Sequence, residues 1–227
     1  MPARATQDTF RGFPAAALDF YAGLEADNTK SYWTANRAVY EEAVRAPFLA
    51  LSRAVEDEFG PLHLFRPHRD VRFSRDKSPY KTNQGAVTEG AGGALYYVHL
   101  DVRGLFAASG YYRMAPDQLE RFRTAVLDER AGPALERELA ALPRGRYELE
   151  RDSLKTAPRG YPRDHPRIEL LRRKSVTIGR RFPVAAWLQT RRALDRVTSV
   201  WREAAGVNTW LDRHVGPSIL PPPDPAP

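Results

Sequence analysis

The chain has 227 residues, 42% hydrophobic and 11% aromatic, which is enough for a packed core, and we expect one domain over residues 8–215. Cysteine is absent, which excludes disulfides, thiolate catalysis and cysteine-ligated metal centres. The formal net charge of +7 indicates an anionic partner, whereas the chain contains no apolar run long enough for a signal peptide or a membrane span, so we expect a cytoplasmic protein.

Helical spacing of apolar residues dominates the chain up to residue 59. It predicts three helices, which begin near Pro14, Thr29 and Pro47. From residue 62 the pattern becomes strand-like, in "LHLF" (62–65), "VRF" (71–73), "ALYYVHLDV" (94–102) and "GLFAASGYYRM" (104–114). The glycine-rich residues 90–93 predict a turn before the first long strand.

The second half of the chain mixes both patterns. Helices are predicted over 115–130 and 132–142, around Ile168 and Leu171, and over 184–205, with strands at 146–150 and 175–179. Residues 216–227 are rich in proline and predict a flexible tail. Because strict alternation of strands and helices is missing, we expect an α+β fold, a single domain with a mostly antiparallel sheet flanked by N-terminal and C-terminal helices.

Two short segments carry the whole basic excess. Residues 66–83 hold six basic and two acidic side chains, and residues 155–174 hold seven and two, so the remainder of the chain is slightly acidic. Like charges at this density repel unless acids or a bound anion compensate them. We therefore expect the two loops to converge on a basic pocket for an anionic small molecule, such as a phosphorylated or nucleotide-like compound.

Residue chemistry suggests roles in this pocket. The guanidinium forks of Arg66, Arg69 and Arg72 suit phosphate or carboxylate, and Lys77 and Lys155 would add compact positive charges. Asp70 would orient an arginine or act as a base. Proton carriers, if a reaction occurs, would be Lys77, Tyr80 and His165. Asn83, Arg159 and Tyr161 complete the predicted ligand-binding set. No cofactor is expected.

Alternative interpretations remain open at this stage. An aspartate between two arginines is often a structural ion pair, so the segment could be a buried ion-pair network. Aromatic residues among the basic ones (Phe73, Tyr80 and Tyr161) could instead stack on bases in a nucleic-acid-binding module. His99 lies in an apolar strand, which is typical of a hydrogen-bonded core residue. The histidines lack the spacing of a zinc protease, and we expect no metal site.

One motif is specific enough to suggest a family. Residues 66–83 follow R-x-x-R-D-x-R-F-x-x-x-K-x-P-Y-x-x-N without a gap. With "NTKSYWTANRAVY" (28–40) and "LKTAPRGYPRDHP" (154–166), this pattern resembles the DUF2461 family, also called TIGR02453, a bacterial and fungal family of about this length. Asp27 departs from an expected second asparagine. The resemblance implies no established activity, substrate or cofactor, because the family is one of unknown function.

Overall fold

A computed structural model of the protein describes residues 9–72, 76–149 and 152–221. The chain forms two compact units. The first unit contains Met1–Thr88, Tyr96–Ala107 and Arg181–Ser199, and the second contains Glu89–Leu95, Ala108–Arg180 and Val200–Pro227.

The helices at the start of the chain belong to the first unit. They are α1 (Ala15–Ala26), α2 (Lys30–Val39) and α3 (Ala46–Phe59), with a π-helical turn (Tyr40–Arg45) between α2 and α3. The side chain of Thr29 caps α2 by accepting a hydrogen bond from the backbone N–H of Tyr32, as the sequence around this cap favours. Phe20, Tyr21 and Leu24 form the buried stripe of α1.

Six strands form an antiparallel sheet in the order β1-β2-β3-β4-β6-β5. They are β1 (His63–Leu64), β2 (Gln84–Glu89), β3 (Leu95–Asp101), β4 (Gly104–Tyr111), β5 (Glu148–Leu149) and β6 (Val176–Phe182). On β3, Val98 and Leu100 are buried, and Tyr96 on the same side meets the ring of Phe59 from α3 at 5.0 Å between centroids. Since side chains alternate along a strand, Tyr97, His99 and Asp101 lie on the opposite side.

The second unit has its own hydrophobic core. It contains α4 (Pro116–Leu127), α5 (Ala131–Ala141), α6 (Ile168–Leu171) and α8 (Ala205–His214), and it buries Phe122, Leu135 and Trp210. The indole of Trp210 donates to the carbonyl of Ala131 at 2.8 Å. Asp212 of α8 accepts hydrogen bonds from the backbone N–H of Ala94 and from the hydroxyl of Tyr111. These bonds satisfy the indole N–H of Trp210, the backbone N–H of Ala94 and the hydroxyl of Tyr111.

The α+β class and the antiparallel sheet are confirmed, as are the turn at residues 90–93 and the early helices. The single predicted helix over 184–205 is wrong. A 3₁₀ turn (Ala186–Gln189) comes first, then α7 (Arg192–Glu203), and α8 follows as a separate helix. The reason lies at Thr190, whose hydroxyl donates to the carbonyl of Trp187 and accepts from the N–H of Arg192, so that it ends one element and starts the next.

Three other predictions have mixed outcomes. Strand β2 was not predicted, because "QGAVTE" begins with residues of low strand propensity. The segment "VRF" forms no strand at Val71 and Arg72, and Phe73 lies outside the described residues, as does Glu150 beyond β5. Most of the predicted tail is also outside them, but Ser218 and Ile219 hydrogen-bond to Asp117 of α4. Within the described ranges, no helix is both long and apolar enough to span a membrane.

Candidate anion-binding site

The described residues between β1 and β2, 65–72 and 76–83, form a ribbon whose two arms run antiparallel. The backbone N–H of Arg69 donates to the carbonyl of Pro79 at 2.8 Å, and the N–H of Lys81 donates to the carbonyl of Pro67 at the same distance. His68 and Tyr80 face each other as an isolated antiparallel bridge. The basic side chains of the motif therefore project from two backbone segments that are hydrogen-bonded to each other.

The ribbon is anchored to the helices of the first unit. Asn28 pairs with the backbone of Tyr80 in both directions: its amide donates to the carbonyl at 3.1 Å and its oxygen accepts from the N–H at 3.0 Å. The ring of Tyr80 is only 5% exposed and stacks on Trp33 at 4.6 Å. At the other end, the hydroxyl of Tyr40 donates to Gln84 at 2.7 Å. These contacts determine where the basic side chains lie.

The two carboxylates of the ribbon are each committed to an arginine. Asp76 pairs with Arg69, and Asp70 accepts two side-chain hydrogen bonds from Arg72, at 3.0 and 2.8 Å. The bonds from Arg72 lower the pKa of Asp70 to about 2. Lys77 donates to the carbonyl of Val71 at 2.9 Å. Much of this part of the motif therefore serves the ribbon itself.

A cationic cluster lies at the base of the ribbon, formed by Arg66 and Lys81 together with Arg69, which is also the partner of Asp76. Lys81 is half-buried, with its ammonium group 5.3 Å from the centre of the Phe65 ring. Burial, followed by the charges of Arg66 and Arg69, lowers the pKa of Lys81. Among the described residues, no carboxylate lies within 4.0 Å of the charged atoms of Arg66 or Lys81. Asn83 is half-buried two residues further along.

The predicted site residues of the second basic segment belong to the second unit. Lys155 and Arg159 are exposed, and the backbone carbonyl of Lys155 accepts from Arg172. The guanidinium of Arg123 lies 6.0 Å from the centre of the Tyr161 ring. His165 sits at the start of α6, where its Nδ1 accepts from the N–H of Arg167 at 3.0 Å. The convergence of the two segments on one pocket stays a prediction.

A second polar group lies on β3, in the first unit, and was missed from the sequence. Nδ1 of His99 is 3.1 Å from the hydroxyl of Tyr97, and its Nε2 is 3.0 Å from Nη2 of Arg181. The same Nε2 is 3.5 Å from Asp101. The sequence did contain a signal, because Tyr97, His99 and Asp101 alternate along one strand and so share one side of the sheet. Only His99 was considered individually, and Tyr97 and Asp101 were interpreted simply as parts of an apolar strand.

Asp101 is the charged centre of this row, which we call the β3 polar row (Tyr97, His99, Asp101 and Arg181). Its side chain is 6% exposed and accepts from Arg103 at 3.0 Å and from Arg181 at 2.9 Å. Burial by itself would raise the pKa of Asp101, but the adjacent His99, the hydrogen bonds from Arg103 and the charge of Arg181 lower it well below its usual range. Asp101 is therefore an ionised carboxylate in the folded protein.

The fold is that of an α+β protein with an antiparallel sheet, and one family model matches its sequence. The model of the family described as "Conserved hypothetical protein (DUF2461)" matches residues 16–210, so the chain belongs to the DUF2461 family. No curated protein and no solved structure matches the chain. In the described part of the chain, no group of three or more acidic or histidine side chains is arranged to hold a metal ion.

Proposed function

We propose that the first unit binds an anionic small molecule, phosphorylated or nucleotide-like, at the cationic cluster of Arg66, Arg69 and Lys81. One observation carries the proposal: the ammonium group of Lys81 is half-buried beside two arginines, and no described carboxylate lies within 4.0 Å of it. Holding like charges together in a partly desolvated place costs free energy, and a bound anion would offset that cost.

The chemistry of the three side chains suits an oxyanion. A guanidinium presents parallel N–H groups that match two oxygens of a phosphate, and Lys81 adds a compact point charge. The ring of Phe65 beside Lys81 offers an apolar wall for the rest of a ligand. In this proposal Asp70, Arg72 and Lys77 stabilise the ribbon, and Tyr80 anchors it through its buried ring instead of carrying protons.

The alternatives have less support from the geometry. A buried ion-pair network is not favoured, because the side chains of Asp70 and Arg72 are 45% and 61% exposed. Nucleic-acid binding is not favoured either, since the Tyr80 ring is already stacked on Trp33 and is not presented to a base. Phe73, the other aromatic residue predicted to stack within the ribbon, lies outside the described residues.

Calorimetry with sulfate and with pyrophosphate, at constant ionic strength maintained with chloride, tests the proposal. We expect Lys81→Ala to weaken binding about tenfold, as the loss of one charge-assisted contact would. The matched control is Lys30→Ala, which removes an exposed lysine of α2 in the same unit and should leave the affinity unchanged.

Two results would count against the proposal. One is the absence of any heat of binding in the wild-type protein with either anion. The other is equal affinity in wild type and in the double variant Arg66→Ala/Lys81→Ala, provided that circular dichroism shows the variant to be folded. If the two anions bind, calorimetry with a panel of nucleotides and sugar phosphates would show which class of phosphorylated compound the cluster prefers.

A further inference from the structure

Nε2 of His99 in the β3 polar row lies near two possible hydrogen-bond partners, one suited to its unprotonated state and the other to its protonated state. Its Nε2 lies 3.0 Å from Nη2 of Arg181 and 3.5 Å from Oδ2 of Asp101. A guanidinium can only donate hydrogen bonds, so the contact with Arg181 requires an unprotonated Nε2. The proton of neutral His99 is then on Nδ1 and is donated to the hydroxyl oxygen of Tyr97 at 3.1 Å.

A second proton on His99, placed on Nε2, would replace Arg181 by Asp101 as the hydrogen-bond partner of this nitrogen. Protonated Nε2 can donate to the ionised carboxylate of Asp101. Nη2 of Arg181 then loses its acceptor and faces a like charge, although Nη1 still donates to Asp101. Among the described residues, the groups that face or surround the imidazole are Tyr97 and Asp101 on β3, Arg181 on β6, and the ring of Phe106 on β4, stacked at 5.1 Å. Arg103 acts on the imidazole indirectly, through Asp101. Asp101 and Arg181 therefore place opposite charges beside Nε2, at 3.5 and 3.0 Å.

The cationic cluster lies next to this row. The ring of Phe65 is 6.2 Å from the ring of Tyr97 between centroids, and the same ring is 5.3 Å from the ammonium of Lys81. The centres of the Tyr97 and His99 rings are in turn 5.5 Å apart. The Phe65 ring therefore connects Lys81 to the β3 polar row, and an anion held by Lys81 against this ring would bring its negative charge to the neighbourhood of Tyr97.

We propose that Tyr97 and His99 form a proton-transfer pair for the anion bound at the cationic cluster, with His99 taking up a proton when the anion binds. The inference rests on the proposed function, because the cluster must be occupied. In the step itself, the Tyr97 hydroxyl gives its proton to an oxygen of the ligand and receives the Nδ1 proton of doubly protonated His99. His99 is left neutral, with its remaining proton on Nε2 directed at Asp101, and solvent restores the second proton.

The ligand class follows from this chemistry. The pair supplies a proton, so it serves an anion that carries a basic oxygen beside its phosphate or carboxylate group, such as the ester or hydroxyl oxygen of a phosphorylated compound. Arg181 and Asp101 are positioning residues, because they act on the ligand only through His99. Arg181 favours the neutral state of His99 and Asp101 favours the charged state.

Nuclear magnetic resonance of the ¹⁵N-labelled full chain tests the inference with sulfate, which does not itself titrate near neutral pH. His99→Asn assigns the His99 signal. Without sulfate we expect the neutral form with its proton on Nδ1. With saturating sulfate, against chloride at equal ionic strength, we expect the titration midpoint of His99 to rise, because a negative charge nearby favours the protonated imidazole.

Variants separate the contributions. Lys81→Ala should move the sulfate-dependent rise to about tenfold higher sulfate. Arg181→Gln should raise the His99 midpoint even without sulfate, because it removes the charge that opposes protonation. Tyr97→Phe should retain sulfate binding but change the environment of Nδ1. His214, which lies in the second unit against Trp210, provides an internal reference that should not respond.

Calorimetry in two buffers of different ionisation enthalpy gives a second readout. Near the His99 midpoint, sulfate binding should take up a fraction of a proton in the wild type and none in His99→Asn. If sulfate binds without proton uptake and without a shift of His99, the inference is overturned and the proposed function stands. If sulfate does not bind at all, both fail. A neutral His99 with its proton on Nε2 would also overturn the inference, since that form cannot accept from Arg181.

Discussion

Asn28→Ala should destabilise the protein through the ribbon, although residue 28 lies 52 positions before its partner. The side chain of Asn28 donates to the carbonyl of Tyr80 and accepts from its N–H, at 3.1 and 3.0 Å. Tyr80 is 5% exposed, so water does not readily replace the lost partner. The variant removes both hydrogen bonds at once and leaves two backbone groups unsatisfied.

The magnitude follows from those two bonds. Each hydrogen bond contributes about 0.5 to 1.5 kcal/mol net, which gives a loss of roughly 2 kcal/mol in the free energy of unfolding. For a chain of this size, such a loss lowers the melting temperature by about 4 to 8 °C. Asn28→Asp should fall between wild type and Asn28→Ala, because a carboxylate still accepts from the N–H of Tyr80 but cannot donate to its carbonyl.

Urea unfolding followed by circular dichroism gives the free energies. The matched control is Asn36→Ala, which removes one hydrogen bond to the carbonyl of Tyr32 within α2 and gains helix propensity, so it should stay within about 0.5 kcal/mol of wild type. If Asn28→Ala is as stable as Asn36→Ala, then the pairing with Tyr80 does not anchor the ribbon and the reasoning is refuted.

Three other substitutions follow from the same structure. Gly12→Ala should reduce the free energy of unfolding by about 2 kcal/mol or more beyond the effect of Gly145→Ala, and its melting temperature should be correspondingly lower. Both glycines have positive φ, but of the two only Gly12 would place a Cβ 2.3 Å from other backbone atoms. Equal losses of stability in the two variants would contradict this. Asp101→Asn should cost about 3 kcal/mol at pH 7. The folded pKa of Asp101 lies below its unfolded value, so the stability it contributes is present above about pH 4 and is lost as the pH falls; a gap between the two proteins that stays constant down to pH 2 in urea titrations would refute it. Tyr40→Phe should cost about 1 kcal/mol for the hydrogen bond to Gln84. Burial, with the charge of Glu41, raises the pKa of Tyr40 to about 12, so wild-type stability should fall between pH 10 and 12 more steeply than that of the variant; parallel profiles would show that Tyr40 is not the group responsible.

The candidate site was only partly predictable. Arg66 and Arg69 were chosen for their guanidinium groups, and both belong to the cationic cluster. Lys81 was missed in favour of Lys77, since Lys77 is the lysine of the motif and Lys81 occupies one of its variable positions. Local sequence does not show that Lys81 is half-buried beside Phe65 or that Lys77 donates to the carbonyl of Val71. Desolvation and hydrogen-bond partners depend on how the ribbon folds back, and this separates the two lysines.

The β3 polar row shows a similar limit. The strand and its alternation were predictable from "ALYYVHLDV", and with them the fact that Tyr97, His99 and Asp101 share one side. Arg181 lies about 80 residues further along the chain and reaches Asp101 and His99 from β6. No spacing rule relates it to β3, so the chemistry of His99 could not be predicted from its own neighbourhood.

By itself, the sequence determined the class of fold, the early helices, the long strands and the motif that places the chain in the DUF2461 family, because these depend on periodicity, propensity and spacing over short distances. The tertiary structure decided which charges are paired, which lysine is desolvated and which arginine meets His99. Those outcomes depend on contacts such as Asn28 with Tyr80 and Arg181 with Asp101, whose partners lie 52 and 80 positions apart and meet only when the chain has folded.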